Sequence, residues 1–285
     1  MPPILHTTRI APSGTSELDG ETYKFLQEYI HRESGILLDD DKHYLVEARL
    51  GPVLEQSHLN SLAALCRALR QNDVPLRKKV VEAMTTHETL FFRDSAPFDG
   101  LRTTILPQML EQRKFTRKLN IWSAAASSGQ EAYSLAMLLL EMNLISWNIQ
   151  IVGTDLSEQI LARAREGRYM QLEVNRGLPA QYLIKYFDRD GLDWRLKEHV
   201  RKMARFEQFD LRRPARSKGP FDIIFCRNVL IYFDIPTKKE ILASLRSALV
   251  PGGYLVLGSA ESTLNLDETF KRIPVGRAMF YQTPE

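Results

Sequence analysis

Two cysteines in 285 residues are too few for a disulfide framework, and neither Cys66 nor Cys226 stands in a Cys-x-x-Cys pair or beside clustered histidines. That spacing leaves no zinc site to read and implies a reducing compartment. His6, His31, His43, His58 and His199 stand alone and are assigned no chemistry. A strong charge of either sign is also missing, and a formal net charge of +3 does not by itself imply a nucleic-acid partner. The most apolar run, Ala132 to Ile145, is interrupted by Glu141 and falls short of the ~20 residues that a membrane-spanning helix needs. Met1 to Gly20 lacks the basic start and apolar core of a signal peptide and reads as a mobile tail rich in Pro, Ser, Thr and Gly. A cytoplasmic protein without membrane insertion is expected. Beyond the tail there is no low-complexity tract, and no internal repeat is visible.

What is present is ordinary globular composition, 44% apolar and 26% charged, in a chain long enough for one large domain and a smaller companion. From Leu18 to Met84 the periodicity is helical. Tyr23, Leu26 and Ile30 share one face before a stop at Gly35, and Leu62, Leu65, Cys66 and Leu69 repeat that spacing. Between them, Asp40 is a candidate cap for a helix carrying Tyr44, Leu45 and Ala48, with Gly51-Pro52 as its end. From Leu119 short apolar strands alternate with amphipathic helices. The strands are 119–125, 149–154, 221–226 and 254–258, and helices start at Gln130 and Ser157 and span 236–249. Such alternation builds a parallel sheet covered on both faces, with ligands bound beyond the carboxyl ends of its strands. Residues 161–218 break the pattern, with fifteen Lys and Arg against eight Asp and Glu, and their middle reads as an inserted subdomain.

Four segments are candidates for chemistry. Ser123-Ala-Ala-Ala-Ser-Ser-Gly-Gln-Glu131 joins the first strand to a helix, and its small residues would let a ligand reach the unpaired N–H groups of the helix start. The plain alternative is a tight turn. It lacks the G-x-G-x-x-G of pyrophosphate-binding dehydrogenases, so a cofactor without a diphosphate fits better. Asp155 closes the second strand, where nucleotide-binding sheets set a carboxylate against ribose hydroxyls, although Asp155 or Ser157 could simply cap the next helix. The two features together suit the adenosine of S-adenosylmethionine. At the end of Phe221–Cys226, Asn228 and Tyr232 are site candidates, Arg227 reads equally as structural, and Cys226 reads as a small buried hydrophobe. Asn228 is followed by Val229, so the Pro-Pro-aromatic of nucleic-acid amino methylases is absent, and Phe225 before Cys226 excludes the Pro-Cys of cytosine methylases. In Thr85-Thr-His-Glu-Thr-Leu-Phe-Phe-Arg-Asp94 a packed linker explains Phe91 and Phe92 but not the flanking Thr89 and Arg93, and an Arg there can hold a carboxylate bidentately.

Taken in order, 85–94, Trp122-Ser-Ala-Ala-Ala-Ser-Ser-Gly-Gln-Glu-Ala-Tyr-Ser134, Gly153-Thr-Asp-Leu-Ser157, Phe225-Cys-Arg-Asn-Val-Leu-Ile-Tyr-Phe-Asp234 and Pro251-Gly-Gly-Tyr-Leu255 resemble the chemotaxis receptor methyltransferase family, the CheR type. The resemblance implies an α/β protein: a seven-stranded Rossmann-like class I methyltransferase domain with a small antiparallel β insertion, preceded by a small all-helical domain. The expected layout is a flexible tail at 1–18, a helical domain at 19–88, a linker and connecting helix at 89–118, and the methyltransferase domain at 119–285 with its insertion at about 168–206. Position by position, the cofactor contacts implied are His87, Thr89, Arg93, Glu131, Asp155, Asp210, Leu211, Asn228 and Val229. His87 stands where the family usually has Asn, and Gln130-Glu131-Ala132 replaces Glu-Glu-Pro.

The implied activity is methylation of chemoreceptor glutamates by S-adenosylmethionine, leaving S-adenosylhomocysteine, with no metal. Arg93 and Tyr232 are the residues expected to orient the carboxylate. The implied partner is the cytoplasmic helical domain of chemoreceptors, the insertion is a candidate dock for a receptor's C-terminal tail peptide, and no nucleic acid is expected. A non-catalytic cofactor-binding regulatory module and a nucleic-acid methyltransferase are the alternative readings.

Overall fold

A computed structural model describes residues 18–144 and 146–285, so the expected tail lies almost wholly outside the described residues. The described residues divide into two compact units, one running to 33 and resuming at 38–84, the other 34–37 with 85–285. Among the described residues no helix is long and apolar enough to cross a membrane.

The first unit is helical, as its periodicity predicts. Its helices are Gly20–Ser34, His43–Gln56, Leu62–Arg70 and Val74–Met84. Leu26, Ile30, Val46, Leu50, Leu65 and Val80 are buried and make its core. Gly35 takes a positive φ of +76° just past the first helix, which suits a residue without a Cβ. Two expectations are corrected. The second helix starts after Lys42 with no side-chain cap, because Asp40 instead accepts from the Gln27 side-chain amide. It also runs through Gly51-Pro52 to Gln56. Its buried stripe of Val46, Leu50 and Val53 continues across the proline, so packing outweighs the ~3 kcal/mol that a proline costs inside a helix.

In the second unit, helical residues 96–112 lead into the strands. The strands are β1 Lys118–Ala124, β2 Asn148–Asp155, β3 Arg168–Tyr169, β4 Phe187–Asp190, β5 Asp193–Leu196, β6 Ala204–Gln208, β7 Phe221–Cys226, β8 Leu249–Leu257, β9 Lys271–Val275 and β10 Ala278–Gln282. Seven form one sheet in the order β6-β2-β1-β7-β8-β10-β9. The first five run parallel, and β10 and β9 pair antiparallel. Trp122, Leu119, Ile121, Ile223 and Phe225 are fully buried, because helices cover both faces of these central strands. The chain winds outward from β1 through β2 to β6, then returns to the other side of β1 with β7. The carboxyl ends of β1 and β7 therefore flank the switch point, where open α/β sheets bind ligands.

The expected insertion is a three-stranded antiparallel sheet in the order β3-β5-β4. Ala204 to Gln208 form β6, paired parallel to β2 in the main sheet.

Candidate functional site

A pocket opens at the switch point, lined by the ends of β1, β2, β6 and β7 and by residues 85–89 and 93. Each of its walls is held by side chains that bond backbone, and the sequence of each loop explains how.

The β1 loop turns back sharply. Ala125 and Ser127 take positive φ values of 61° and 50°, and Gly129, at +93°, ends the loop before the helix Gln130–Glu141. A Cβ at Gly129 would lie 3.1 Å from each of Ala164, Phe206 and Tyr133. Ser127 N–H donates to Asp155 Oδ2 at 2.9 Å, and Ser157 N–H donates to Asp155 Oδ1 at 3.0 Å. Asp155 thus ties the β1 and β2 loops together, while Ser157 caps the following helix by accepting from Ile160 N–H. Burial pushes the Asp155 carboxyl above its ordinary range, against the two N–H donors and the nearby His87 ring.

The segment before the connecting helix is laid over this loop. Ser127 Oγ donates to the His87 carbonyl at 2.8 Å, and Phe92 N–H donates to Ser134 Oγ at 2.9 Å. Phe91 is fully buried, edge-on to Tyr169 and Phe187 of the insertion. The Thr85 hydroxyl and His87 Nε2 are 2.8 Å apart. Phe92 and Asp94 both sit at positive φ, 49° and 53°. With Ala125, Ser127 and Asn228 they gather five left-handed non-glycine residues around the pocket, a conformation costing of order 1–3 kcal/mol each and typical of functional sites.

Arg227 joins these walls. Its side chain is 2% exposed, donates from Nη1 to Glu131 Oε2 at 3.1 Å and from Nη2 to Asp94 Oδ2 at 3.0 Å and the Arg93 carbonyl at 2.8 Å. Glu131 is steadied from its other oxygen by Ser123 Oγ at 2.8 Å. Arg93 differs: its guanidinium donates to the Glu88 carbonyl at 3.0 Å, and among the described residues no carboxylate forms an ion pair with it. The pocket therefore contains one arginine paired with two carboxylates, the largely buried Glu131 and the exposed Asp94, and one that, among the described residues, forms no ion pair.

Beyond β6, both Asp210 oxygens accept from the Arg212 guanidinium, and Leu211 and Phe209 give an apolar wall. Beyond β7, Asn228 takes φ 56° and a short 3-10 turn Leu230–Tyr232 follows, with the Tyr232 carbonyl accepting from Leu37 N–H at 2.8 Å.

Every residue expected at the site lines this one pocket: His87, Thr89, Arg93, Glu131, Asp155, Asp210, Leu211, Asn228, Val229 and Tyr232. Sequence reasoning missed the tie from Asp155 to Ser127 N–H, left Arg227 undecided and did not single out Ser127 or Phe209. An arginine directly after the apolar run Ile223-Ile-Phe-Cys226 was the available signal for Arg227.

Comparison with known proteins accords with this geometry. Residues 87–279 match the family described as CheR methyltransferase, SAM binding domain, and residues 21–85 match CheR methyltransferase, all-alpha domain. The chain is 40% identical over 275 residues to the chemotaxis protein methyltransferase Cher2 of Pseudomonas putida, covering 94% of this chain and 98% of that one. It is 39% identical over 266 residues to chemotaxis protein methyltransferase 1 of Pseudomonas aeruginosa, covering 91% and 97%. Chemotaxis protein methyltransferase 1 of Vibrio cholerae is 38% identical over 274 residues, covering 93% and 98%.

The residues present fit S-adenosylmethionine. Glu131, Asp155 and Asp210 offer acceptors to hydroxyl and ammonium groups, Leu211, Phe209 and Val229 offer an apolar wall to a base, and the acidic lining suits a sulfonium cation rather than a diphosphate. The chain belongs to the CheR methyltransferase family and is an S-adenosylmethionine-dependent methyltransferase of the chemotaxis type.

Proposed function

We propose that this enzyme methylates glutamate side chains of chemoreceptors, the methyl-accepting chemotaxis proteins, giving glutamate methyl esters for sensory adaptation. The observation that carries the reading is the contrast between the two pocket arginines. Arg227 is paired with Glu131 and Asp94, whereas Arg93 forms no carboxylate ion pair among the described residues and can take one from a substrate.

S-adenosylmethionine supplies an electrophilic methyl group on a positively charged sulfur. Asp155 would hold the ribose hydroxyls, Glu131 the amino group of the methionine part, and Asp210 with Leu211 the base. His87, Thr89, Asn228 and Val229 complete the cofactor contacts. Arg93 and Tyr232 orient the glutamate carboxylate toward the methyl carbon. The carboxylate oxygen would form the new O–C bond as the C–S bond broke, with the bonding pair staying on sulfur. A glutamate is already ionised at pH 7, so the enzyme needs no general base. The protein's contribution is alignment and exclusion of water, worth up to ~7–11 kcal/mol in well-oriented reactions. The insertion is the proposed dock for a receptor's C-terminal tail peptide, and the cytoplasm is the proposed location.

Incubation with receptor-bearing membranes and methyl-labelled S-adenosylmethionine tests this. Label on receptor that is released by mild base is the expected result. Cofactor binding without transfer would support a regulatory module instead, and base-stable label on nucleic acid a different substrate.

A further inference from the structure

The loop after β7 brings Asn228, Val229 and Tyr232 to the pocket, yet its own backbone is not held by sheet or helix. Its conformation is costly: Asn228 has a positive φ of 56°, and the turn Leu230–Tyr232 is too short to bond its own first N–H groups. Those groups meet one carboxylate, Glu261. Oε1 accepts from Val229 N–H at 2.9 Å, Leu230 N–H at 2.7 Å and Ile231 N–H at 3.3 Å. Oε2 accepts from Asn228 N–H and Gly258 N–H, both at 2.7 Å. Five backbone donors thus converge on a side chain that does not itself line the pocket. Gly258 makes room for it, since a Cβ there would stand 2.7 Å from both Asn228 Nδ2 and Glu261 Oε2.

We propose that Glu261 is a positioning residue for methyl transfer, fixing by its carboxylate the loop that presents Asn228, Val229 and Tyr232 to cofactor and substrate. The inference rests on the functional reading above. An anionic acceptor suits this position because charge-assisted bonds are about twice as strong as neutral ones, and four successive N–H groups form a concave nest for negative charge. A glutamine would turn an NH2 toward backbone donors and lose that side of the nest. An aspartate would keep the charge but fall short by one methylene.

The test compares the full-length parent with E261Q, E261D and D222N. Asp222 is the control: it too holds a backbone N–H, that of Asn120 at 2.7 Å, but it does not line the pocket. S-adenosylhomocysteine affinity by calorimetry, KM for S-adenosylmethionine, kcat and melting temperature are measured for each. E261Q is expected to weaken S-adenosylhomocysteine at least tenfold and raise KM in parallel, E261D to recover part of the loss, and D222N to melt lower with parental affinity. E261D, which keeps the anionic acceptor, is expected to lose less affinity in the same direction and decides the matter should E261Q not fold. Parental affinity and KM in E261Q, or in E261D should E261Q not fold, or an equal loss in D222N, would overturn the inference alone. A parent that binds no S-adenosylhomocysteine would overturn the functional reading beneath it.

Discussion

At the scale of single residues, the site is assembled by charges that bond backbone before they meet any ligand. Asp155 holds two loop N–H groups and, in the proposed role, keeps lone pairs for the ribose. Asp155→Ala should therefore have two effects, at least a tenfold loss of S-adenosylhomocysteine affinity and a lower melting temperature from the stranded N–H groups, since bonds to a charged acceptor contribute roughly 1.5–3 kcal/mol each. Calorimetry and thermal melting read the two separately. Because burial raises the Asp155 carboxyl above its ordinary 3.8, affinity should increase as pH rises through the window above that value, and Asp155→Asn should flatten this limb. The cysteines give the opposite test, of inertness. Burial pushes Cys66 up to about 11 and Cys226 well above the ordinary thiol range, the latter further raised by Glu261 and Glu131. Neither should react with iodoacetamide at pH 8 until the protein unfolds, and alkylation of Cys226 in the native state would contradict its place in the core. Asp155 was legible in the sequence because it closes a strand at a position fixed by local geometry, and Glu131 through the resemblance carried by its loop. Arg227 and Glu261 were not, because their partners lie 96 and 32 residues away and only the folded sheet brings them together.

At the scale of elements, legibility followed burial. β1, β2, β7 and β8 are covered on both faces and read as apolar runs. β6 and β9 lie at the two sheet edges, bury no residue fully, and carry sequences such as Ala-Arg-Phe-Glu-Gln that no periodicity marks as strand. The turn into the helix Gln130–Glu141 was legible as small residues, but the reason for Gly129 is spatial. Gly129→Ala should strain a positive φ and press on three packed neighbours, a cost of order 1–3 kcal/mol. A fall in melting temperature of about 2–4 °C per kcal/mol is expected for a unit of this size. An unchanged melting curve would mean that the turn relaxes at little cost.

At the scale of the molecule, the substrate proposed is an acidic helical surface, and two basic regions are candidates to meet it. In the insertion the charges are largely engaged: Lys197 pairs with Asp188, Lys202 with Glu198, and Arg201 donates to the Leu196 carbonyl. In the helical unit Arg77 pairs with Glu33, whereas Arg67, Arg70, Lys78 and Lys79 are exposed and form no ion pair among the described residues. Charge reversal at Arg70, Lys78 and Lys79 should slow receptor methylation steeply at low salt and less at high salt, where screening acts over ~8–10 Å, without changing S-adenosylhomocysteine affinity. Equal rates at low ionic strength would move the receptor-facing surface to the insertion. The central claim itself is tested most directly by mass spectrometry of receptor peptides after incubation with S-adenosylmethionine and either the parent enzyme or Arg93→Ala. The account predicts base-labile methyl esters on glutamate residues with the parent and at least tenfold slower formation with the variant. Methyl groups found only on other residue types, or parental rates from Arg93→Ala at saturating cofactor and receptor, would contradict it.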